Sequence, residues 1–217
     1  GVARNASNTS IVVDTNADSE IQFSEALQVY YLSLNNGGIT SLVGLENFIN
    51  LTHLGCDSNE LTSLPNLNLP NLVSFSCGNN NLTSISGIEN LVNLTSLYVD
   101  SNPLTSVNVS NFSQLLNFSC SYTTVTEIDL CGTQVKFFWC VSNPMLTTLK
   151  VKNNVITPSQ FGFRASDPGD NENPVPPPLP SFYFNNLPLL NYVCYDQAEY
   201  IAVIEALAYD YDGITLT

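Results

Sequence analysis

Positive charge is scarce in this 217-residue chain, which has five Lys and Arg residues against 19 Asp and Glu and a formal net charge of −14. A nucleic-acid site requires clustered Lys and Arg to neutralise phosphates, and the sequence has no such cluster. Long apolar runs are also missing, and none approaches the roughly 20 residues that a membrane-spanning helix needs. We therefore expect no nucleic-acid partner and no membrane span, and we expect a monomer.

Leucine-rich segments recur along the chain with a nearly constant period. The clearest copies of the motif LxxLxCxxNxL are LTHLGCDSNEL, LVSFSCGNNNL and LTSLYVDSNPL, which start at Leu51, Leu72 and Leu94. The fourth motif position recurs every 20 to 22 residues, at Leu32, Leu54, Phe75, Leu97, Phe118 and Phe138. This spacing predicts an α/β-type solenoid, a right-handed leucine-rich repeat superhelix whose coils each add one strand to a concave parallel sheet.

Inside such a solenoid, motif positions 4 and 6 point into the core. Position 6 is often cysteine, at Cys56, Cys77, Cys120 and Cys140. Neighbouring coils are about 4.8 Å apart, so a disulfide between Cys56 and Cys77 is conceivable, although buried cysteine also packs as a small hydrophobe. We expect reduced packing residues. Position 9 is predicted to form a structural ladder of side-chain amides, at Asn59, Asn80, Asn102 and Asn143.

The pattern divides the chain into four parts. We expect an N-terminal cap over residues 1–28, leucine-rich repeats over 29–157, a proline-rich loop insertion over 158–181, and the last repeat with a C-terminal cap over 182–217. Apolar spacing predicts an amphipathic helix over residues 197–209 that closes the open end of the core.

The N-terminal cap contains the segment DTNADSEIQFSE, residues 14–25, which has the length and spacing of an EF-hand calcium loop. Calcium prefers hard oxygen ligands at loop positions 1, 3, 5, 7 and 12. These positions are occupied by Asp14, Asn16, Asp18, Glu20 (through its carbonyl) and Glu25. Ser19 stands where glycine usually provides a left-handed backbone. We predict a structural calcium site, with an acidic N-capping segment for a helix around residues 24–29 as the alternative.

The segments VVDTNADSEIQFSEALQVYYLSL and ITSLVGLENFINLTHLGCDSNELTSLP resemble the start of secreted leucine-rich repeat proteins of Bacteroidetes-type bacteria. Those proteins are internalin-like in their repeats and often begin with an EF-hand- or dockerin-like DxNxDxEI segment. LLNYVCYDQAEYIAVIEAL resembles their closing cap. The resemblance implies a secreted or cell-surface location and a binding role.

Motif positions 3, 5 and 7 point outward on the predicted concave face. The N-terminal coils present mostly small polar residues there, and the later coils present larger ones, namely Tyr98, Phe137, Trp139 and Val141. We expect Tyr183 and Tyr192 to extend this cluster. Exposed aromatics on a sheet favour a partner surface for a protein or glycan, unless the proline-rich loop covers them.

Two alternatives to a binding module remain. Asp57 and Asp100 are two coils apart, on the order of 10 Å, which is near the separation of an inverting glycosidase pair. His53 is the only histidine, so few nucleophile–base pairs are available, and we expect no catalysis. Threonines recur at motif position 12 and raise the possibility of a surface- or ice-binding face, at Thr40, Thr62, Thr83, Thr105 and Thr126.

Overall fold

The computed structural model describes residues 1–151, 182–185, 189–190 and 192–194. The proline-rich segment 158–181 and the predicted closing helix, residues 197–209, lie outside these residues. The described elements are β1 Val2–Arg4, β2 Ser10–Ile11, α1 Phe23–Ala26, β3 Tyr31–Ser33, a 3-10 turn Leu45–Asn47, β4 His53–Gly55, β5 Ser74–Ser76, β6 Ser96–Tyr98, β7 Asn117–Ser119, β8 Glu127–Asp129, β9 Phe137–Val141, β10 Thr148–Lys150, β11 Phe182–Asn185 and β12 Tyr192–Cys194.

Nine of these strands form the large sheet, in the order β11-β9-β7-β6-β5-β4-β3-β1-β2. Strands β3 to β7, β9 and β11 run parallel, and their register aligns the fourth motif position of every coil. The repeat prediction is confirmed: the described part of the chain is a leucine-rich repeat solenoid of about six turns, and the large sheet is the one predicted to be concave.

The N-terminal cap contains a β-hairpin that the sequence analysis did not predict. Strands β1 and β2 pair antiparallel, and β1 also pairs antiparallel with β3, placing Ala3 opposite Leu32. The hairpin turn is built by Asn5, whose Oδ1 accepts from the N–H groups of Ser7 and Thr9, both at 3.0 Å. The hairpin covers the first edge of the sheet, where an open strand would otherwise expose unpaired backbone groups. Helix α1 is shorter than the predicted helix and ends at Ala26.

A second, three-stranded parallel sheet was also missed, with the order β12-β10-β8. The segment that begins at Leu146 supplies β10 to this sheet. A period-two pattern marks both strands: Ile128 and Leu130 are fully buried, as are Leu149 and Val151, and the residues between them are not. Such alternation is the signal of a strand with one buried face.

The core follows the predicted columns. Leu54, Phe75, Leu97, Phe118 and Phe138 are buried in the large sheet. Cys56, Cys77, Cys120 and Cys140 are also buried, and none of the four forms a disulfide, which confirms their prediction as reduced packing residues. A hydrogen bond with Cys56 and burial raise the pKa of Cys77, and burial together with Cys140 raises the pKa of Cys120. These thiols are therefore neutral and poor nucleophiles.

The asparagine ladder joins the coils through buried hydrogen bonds. Asn102 Nδ2 donates to the carbonyl of Val99 in its own coil at 3.1 Å and to that of Cys77 in the preceding coil at 3.0 Å. Its Oδ1 accepts from the N–H of Leu82 at 3.0 Å. Asn59 and Asn80 repeat this arrangement. Each amide thus satisfies backbone groups that water cannot reach.

We expect Asn102→Ala to lower the free energy of unfolding by about 3 kcal/mol, because several buried backbone groups lose their partners together. Urea unfolding measures the change. Asn111→Ala, at an exposed asparagine on a different part of the coil, should change it by less than about 0.5 kcal/mol. Equal effects of the two substitutions would contradict a ladder that holds the coils together.

Candidate functional site: the outer face of the large sheet

The aromatic patch lies on the solvent side of the large sheet, near its C-terminal end. Strand β9 alternates buried and accessible residues, so Phe137, Trp139 and Val141 share the outer side. The rings of Phe137 and Trp139 stack with centroids 6.3 Å apart and planes inclined by 18°. Phe137 is 41% exposed, although it is a large apolar side chain. The predicted outward orientation of these residues agrees with the structure.

Strand pairing shows which predicted residues can share this patch. Ser119 of β7 lies opposite both Trp139 and Tyr98, so Tyr98 is two strands from Trp139. Tyr183 of β11 occupies the register position beside Trp139. Tyr192, by contrast, lies opposite Thr148 in the three-stranded sheet. The expectation that Tyr192 extends the cluster needs correction, because the chain changes sheets between β11 and β12.

A second aromatic group lies at the N-terminal end of the same face. The rings of Tyr31 and His53 are 5.8 Å apart, and the Arg4 guanidinium lies 5.6 Å from the centre of the Tyr31 ring. Arg4 reaches this place because β1 pairs with β3 and puts Arg4 opposite Tyr31. This end of the face is therefore less uniformly small and polar than expected.

Asp57 and Asp100 fasten one coil to the next. Asp57 Oδ1 accepts from Ser76 Oγ at 2.5 Å and from the N–H of Gly78 at 2.7 Å. Asp100 Oδ1 accepts from Ser119 Oγ and, at 2.8 Å, from the N–H of Ser121. Their carboxylates are therefore used in structural hydrogen bonds. This arrangement gives the two aspartates a role that does not require glycoside hydrolysis.

Tyr122 is an exposed aromatic residue that the sequence analysis overlooked. Motif position 8 adopts a left-handed backbone in six coils, with φ between 51° and 58°, at Asn36, Ser58, Asn79, Ser101, Tyr122 and Ser142. Asn and Ser tolerate or suit such turns better than a bulky ring does. Tyr122 is 59% exposed at the border of the sheet. The sequence signal that could have identified Tyr122 is that a bulky aromatic residue occupies motif position 8, which is otherwise Asn or Ser.

The threonine column contributes bonds between coils. Thr105 Oγ1 donates to the carbonyl of Thr83 at 3.4 Å, and Thr147 Oγ1 donates to that of Thr126 at 3.0 Å. The hydroxyl of Thr105 and the carbonyls of Thr83 and Thr126 are therefore used in bonds between neighbouring coils, while Thr147 itself lies outside the column. That use favours a structural role over a flat surface that binds ice.

The predicted calcium loop adopts a compact turn. Ser19 has φ 69°, so it takes the left-handed conformation that glycine usually supplies at this position. Asp14 accepts from the N–H groups of Asp18 and Ser19 at 3.3 and 2.9 Å. Asn16 Nδ2 and Gln22 Nε2 donate to Asp18 Oδ2 at 2.9 and 2.6 Å. Side chains from loop positions 3, 5 and 9 are therefore in contact.

Glu25 is buried against both ends of the loop. Its Oε1 accepts from the Thr15 N–H at 2.6 Å and from Thr15 Oγ1 at 2.7 Å, and its Oε2 accepts from the Gln22 N–H at 3.0 Å. The hydrogen bond from the Thr15 side chain, followed by that from Gln22, lowers the pKa of Glu25. Glu25 thus fulfils the capping role of the alternative interpretation.

The donor chemistry of the loop fits calcium, since every candidate ligand is an oxygen. Within the part of the chain that the structure describes, no three His, Cys, Asp or Glu side chains are gathered closely enough to hold a metal ion. Ile21, the apolar residue at loop position 8, is 42% exposed. Calcium binding would therefore require the carboxylates of Asp14, Asp18 and Glu25 to converge further.

Comparisons with known proteins agree with the fold. A family model for leucine-rich repeats in two copies matches residues 70–112, and no curated protein matches the chain. The functional domain of InlJ from Listeria monocytogenes, which includes a cysteine ladder, is 22% identical, with a TM-score of 0.52 over 82% of this chain and 56% of that one. Internalin C2 from the same organism is 18% identical, with a TM-score of 0.40 over 94% and 90%.

The leucine-rich repeat domain of APL1B is 22% identical, with a TM-score of 0.45 over 87% of this chain and 56% of that one. This chain therefore spans just over half the length of the InlJ and APL1B structures. The comparisons identify leucine-rich repeats and a solenoid fold similar to that of InlJ. Among the residues described, no helix is long and apolar enough to cross a membrane.

The lowered pKa of Glu25 predicts a specific loss of stability in acid. A carboxylate with a folded-state pKa below its ordinary 4.5 stabilises the fold above about pH 4.5, and this contribution is lost as pH falls through the folded-state value. We expect Glu25→Gln to lower stability at pH 7 and to show less further loss below pH 4.5 than the wild type. Urea unfolding from pH 7 to pH 3 measures both effects.

Thr15→Val is the matched variant, since it keeps the carboxylate and removes the Thr15 hydroxyl that donates to it. Its acid dependence should fall between those of the wild type and Glu25→Gln. Parallel stability curves for all three proteins would show that Glu25 does not contribute through its charge.

Proposed function

We propose that this chain is a non-catalytic extracellular binding module that recognises a protein or glycan through the aromatic patch. The patch comprises Tyr98, Phe137, Trp139 and Val141, with Tyr183 at the adjoining register position. The observation that carries the proposal is the stacked, partly exposed Phe137–Trp139 pair on a sheet whose other outer positions are mostly small and polar. Aromatic residues are enriched among those that contribute most to binding.

The backbone beneath the patch is held in place before any partner arrives. Strand β9 lies between β7 and β11, and Ser119 beside Trp139 is bonded to Asp100. Phe118 and Phe138 stack in the core directly below, with ring centroids 5.6 Å apart. A partner would therefore meet a surface that loses little conformational freedom on binding, which favours affinity.

Catalysis has less support. The two aspartates that a hydrolase would use already accept hydrogen bonds from neighbouring coils. The matched family is described by its repeats alone. The surrounding sheet face is open, and an open face excludes little water from a reaction.

We further propose a structural calcium ion in the N-terminal cap, held by Asp14, Asn16, Asp18, the Glu20 carbonyl and Glu25. The loop spacing and the left-handed Ser19 support this assignment. Extracellular calcium modules commonly bind with dissociation constants of about 10⁻⁴ to 10⁻³ M. A site of this kind would be filled outside a cell, in agreement with the location implied by the family resemblance.

The patch is tested by comparing Phe137→Ala and Trp139→Ala with the wild type on a glycan array and on a displayed library of extracellular protein domains. For any ligand that the wild type binds, we expect each substitution to weaken affinity by about 30-fold, as is typical of a residue central to an interface. The melting temperature of each variant is measured alongside, because Trp139 is half-buried and its replacement can also lower stability, whereas Phe137 is exposed.

Tyr31→Ala is the matched control, since it removes an exposed ring from the other end of the same sheet face. It should leave binding unchanged. Ligands that bind Phe137→Ala and the wild type equally well, or that are lost only with Tyr31→Ala, would contradict the assignment of the patch.

The calcium site is tested by calorimetric titration of the metal-stripped protein, together with its melting temperature with and without calcium. We expect one saturable site and a higher melting temperature. Glu25→Ala and Asp18→Asn should abolish both effects, whereas Ser19→Gly should raise affinity, because glycine adopts the required positive φ without strain.

Asp18→Asn matters most here, because Asp18 is exposed and Glu25 also stabilises the loop without metal. A wild type that shows neither heat nor a thermal shift would leave residues 14–25 as an acidic helix start. The aromatic patch would be unaffected by that result.

A further inference from the structure

Strand β8 forms the open edge of the three-stranded sheet, and a groove runs beside it. Its ladder to β10 uses the Thr126 carbonyl, which accepts from Thr148 N–H at 3.2 Å, and the Leu130 N–H, which donates to the Lys150 carbonyl at 2.8 Å. Backbone groups alternate along a strand, so those of Glu127 and Asp129 point to the other side. No described residue pairs with them there.

The groove exists because two coils separate at this place. They are joined where the Thr124 N–H donates to the Leu104 carbonyl at 3.0 Å, and they meet again where the Gln134 N–H donates to the Leu115 carbonyl at 3.1 Å. The preceding coil is bonded at the same repeat position, where the Thr105 N–H donates to the Thr83 carbonyl. Thr126 has no corresponding described bond to Thr105, so the stacking is interrupted where β8 begins.

The space between the coils is about 520 Å³, within the roughly 300–1,000 Å³ of typical binding clefts. One wall is formed by residues 105–108 with Ser110, and the other by Thr126, Glu127, Asp129 and Cys131. Most of these side chains are polar. An unpaired strand edge along a groove is the arrangement used in β-strand addition, where main-chain hydrogen bonds supply affinity.

Charge indicates what kind of strand would fit. Ile128 is fully buried, so Glu127 and Asp129 on either side of it face solvent, with side chains 50% and 45% exposed. Both share one cation, Lys150 Nζ, at 2.5 and 3.5 Å. Among the described residues, this leaves one negative charge at the edge without a cation, in a chain whose net charge is −14.

A second copy of this chain is disfavoured at the same edge. Antiparallel pairing of two β8 strands would bring Glu127 and Asp129 of one copy near those of the other, and like charges opposite each other destabilise strand pairs. Lys or Arg at alternating positions of a foreign strand would instead pair with the two carboxylates.

We propose that the β8 edge binds an extended basic segment of another protein by β-strand addition. The segment hydrogen-bonds to the free backbone groups of Glu127 and Asp129 and places its Lys or Arg side chains beside their carboxylates. This site is separate from the aromatic patch, which lies on the other sheet.

The probe is an end-capped octapeptide of alternating lysine and threonine, and the control is the same peptide with every backbone nitrogen methylated. Methylation keeps the charge and removes the N–H donors needed for a ladder. Calorimetry at physiological salt should detect binding of the first peptide and at least about tenfold weaker binding of the second. Equal binding of both peptides would mean simple electrostatic attraction and would overturn the proposal.

Two substitutions separate hydrogen bonding from charge. Glu127→Pro removes the free edge N–H at the first residue of β8, a position that tolerates proline, and leaves the ladder to β10 in place. Glu127→Gln removes only the charge. We expect the first to weaken peptide binding by about tenfold relative to the second, and Trp139→Ala to bind the peptide like the wild type.

Hydrogen exchange on the wild-type protein provides a readout that does not depend on any variant folding. The probe peptide should slow exchange of the Glu127 and Asp129 amides and leave those of Tyr98 and Trp139 unchanged. Peptide binding without protection at Glu127 and Asp129 would overturn the proposal, as would an affinity of Glu127→Pro equal to that of Glu127→Gln.

Discussion

Each described coil leaves polar backbone groups that are satisfied by a neighbouring coil, and the rest of the structure depends on that exchange. Three-residue strands are too short to be stable alone, yet strands β3 to β7 form a continuous sheet because each of them is bonded on both sides. The asparagine ladder satisfies backbone groups in the turns in the same way, since Asn59, Asn80 and Asn102 each donate a hydrogen bond to a backbone carbonyl of the preceding coil. Stability is therefore a property of neighbouring coils together.

The same constraint separates structural side chains from those free to bind. Asp57 and Asp100 lie on the outer side of the sheet but are held by serine hydroxyls and backbone N–H groups of the next coil. The side chains of Phe137 and Trp139 lie on the same side, where their rings contact each other. They have no comparable role in joining one coil to the next. Tyr122 also differs from its column, since its exposed ring stands on a backbone better suited to Asn or Ser. Exposed rings thus occur at both ends of the described repeats, with Tyr31 on the first repeat strand and Tyr122 and Phe137 in later coils.

Repetition determined what could be predicted from the sequence. Leu54, Phe75 and Leu97 recur at one spacing, so their column, the parallel sheet and the buried cysteines followed directly. The β1–β2 hairpin occurs once and is polar, and its turn depends on Asn5, a local signal that periodicity does not reveal. Tyr192 was placed on the wrong sheet because a single repeat register was extended beyond the proline-rich segment. The position of Arg4 depends on strand pairing, which repeat spacing does not encode. Tyr122, by contrast, could have been recognised as the one bulky residue at a repeat position otherwise filled by Asn and Ser.

The change from irregular turns to strands at β8 explains why one solenoid can offer two different surfaces. Before this coil, the side opposite the large sheet consists of turns that touch one another, as Thr105 does with Thr83. From Glu127 onward that side becomes a second sheet, whose first strand has no strand partner in the preceding coil. A sheet that begins partway along a solenoid must have an open edge, and here two acidic side chains flank it. The edge and the aromatic patch therefore arise from the same short part of the chain, one through unpaired backbone groups and the other through exposed rings.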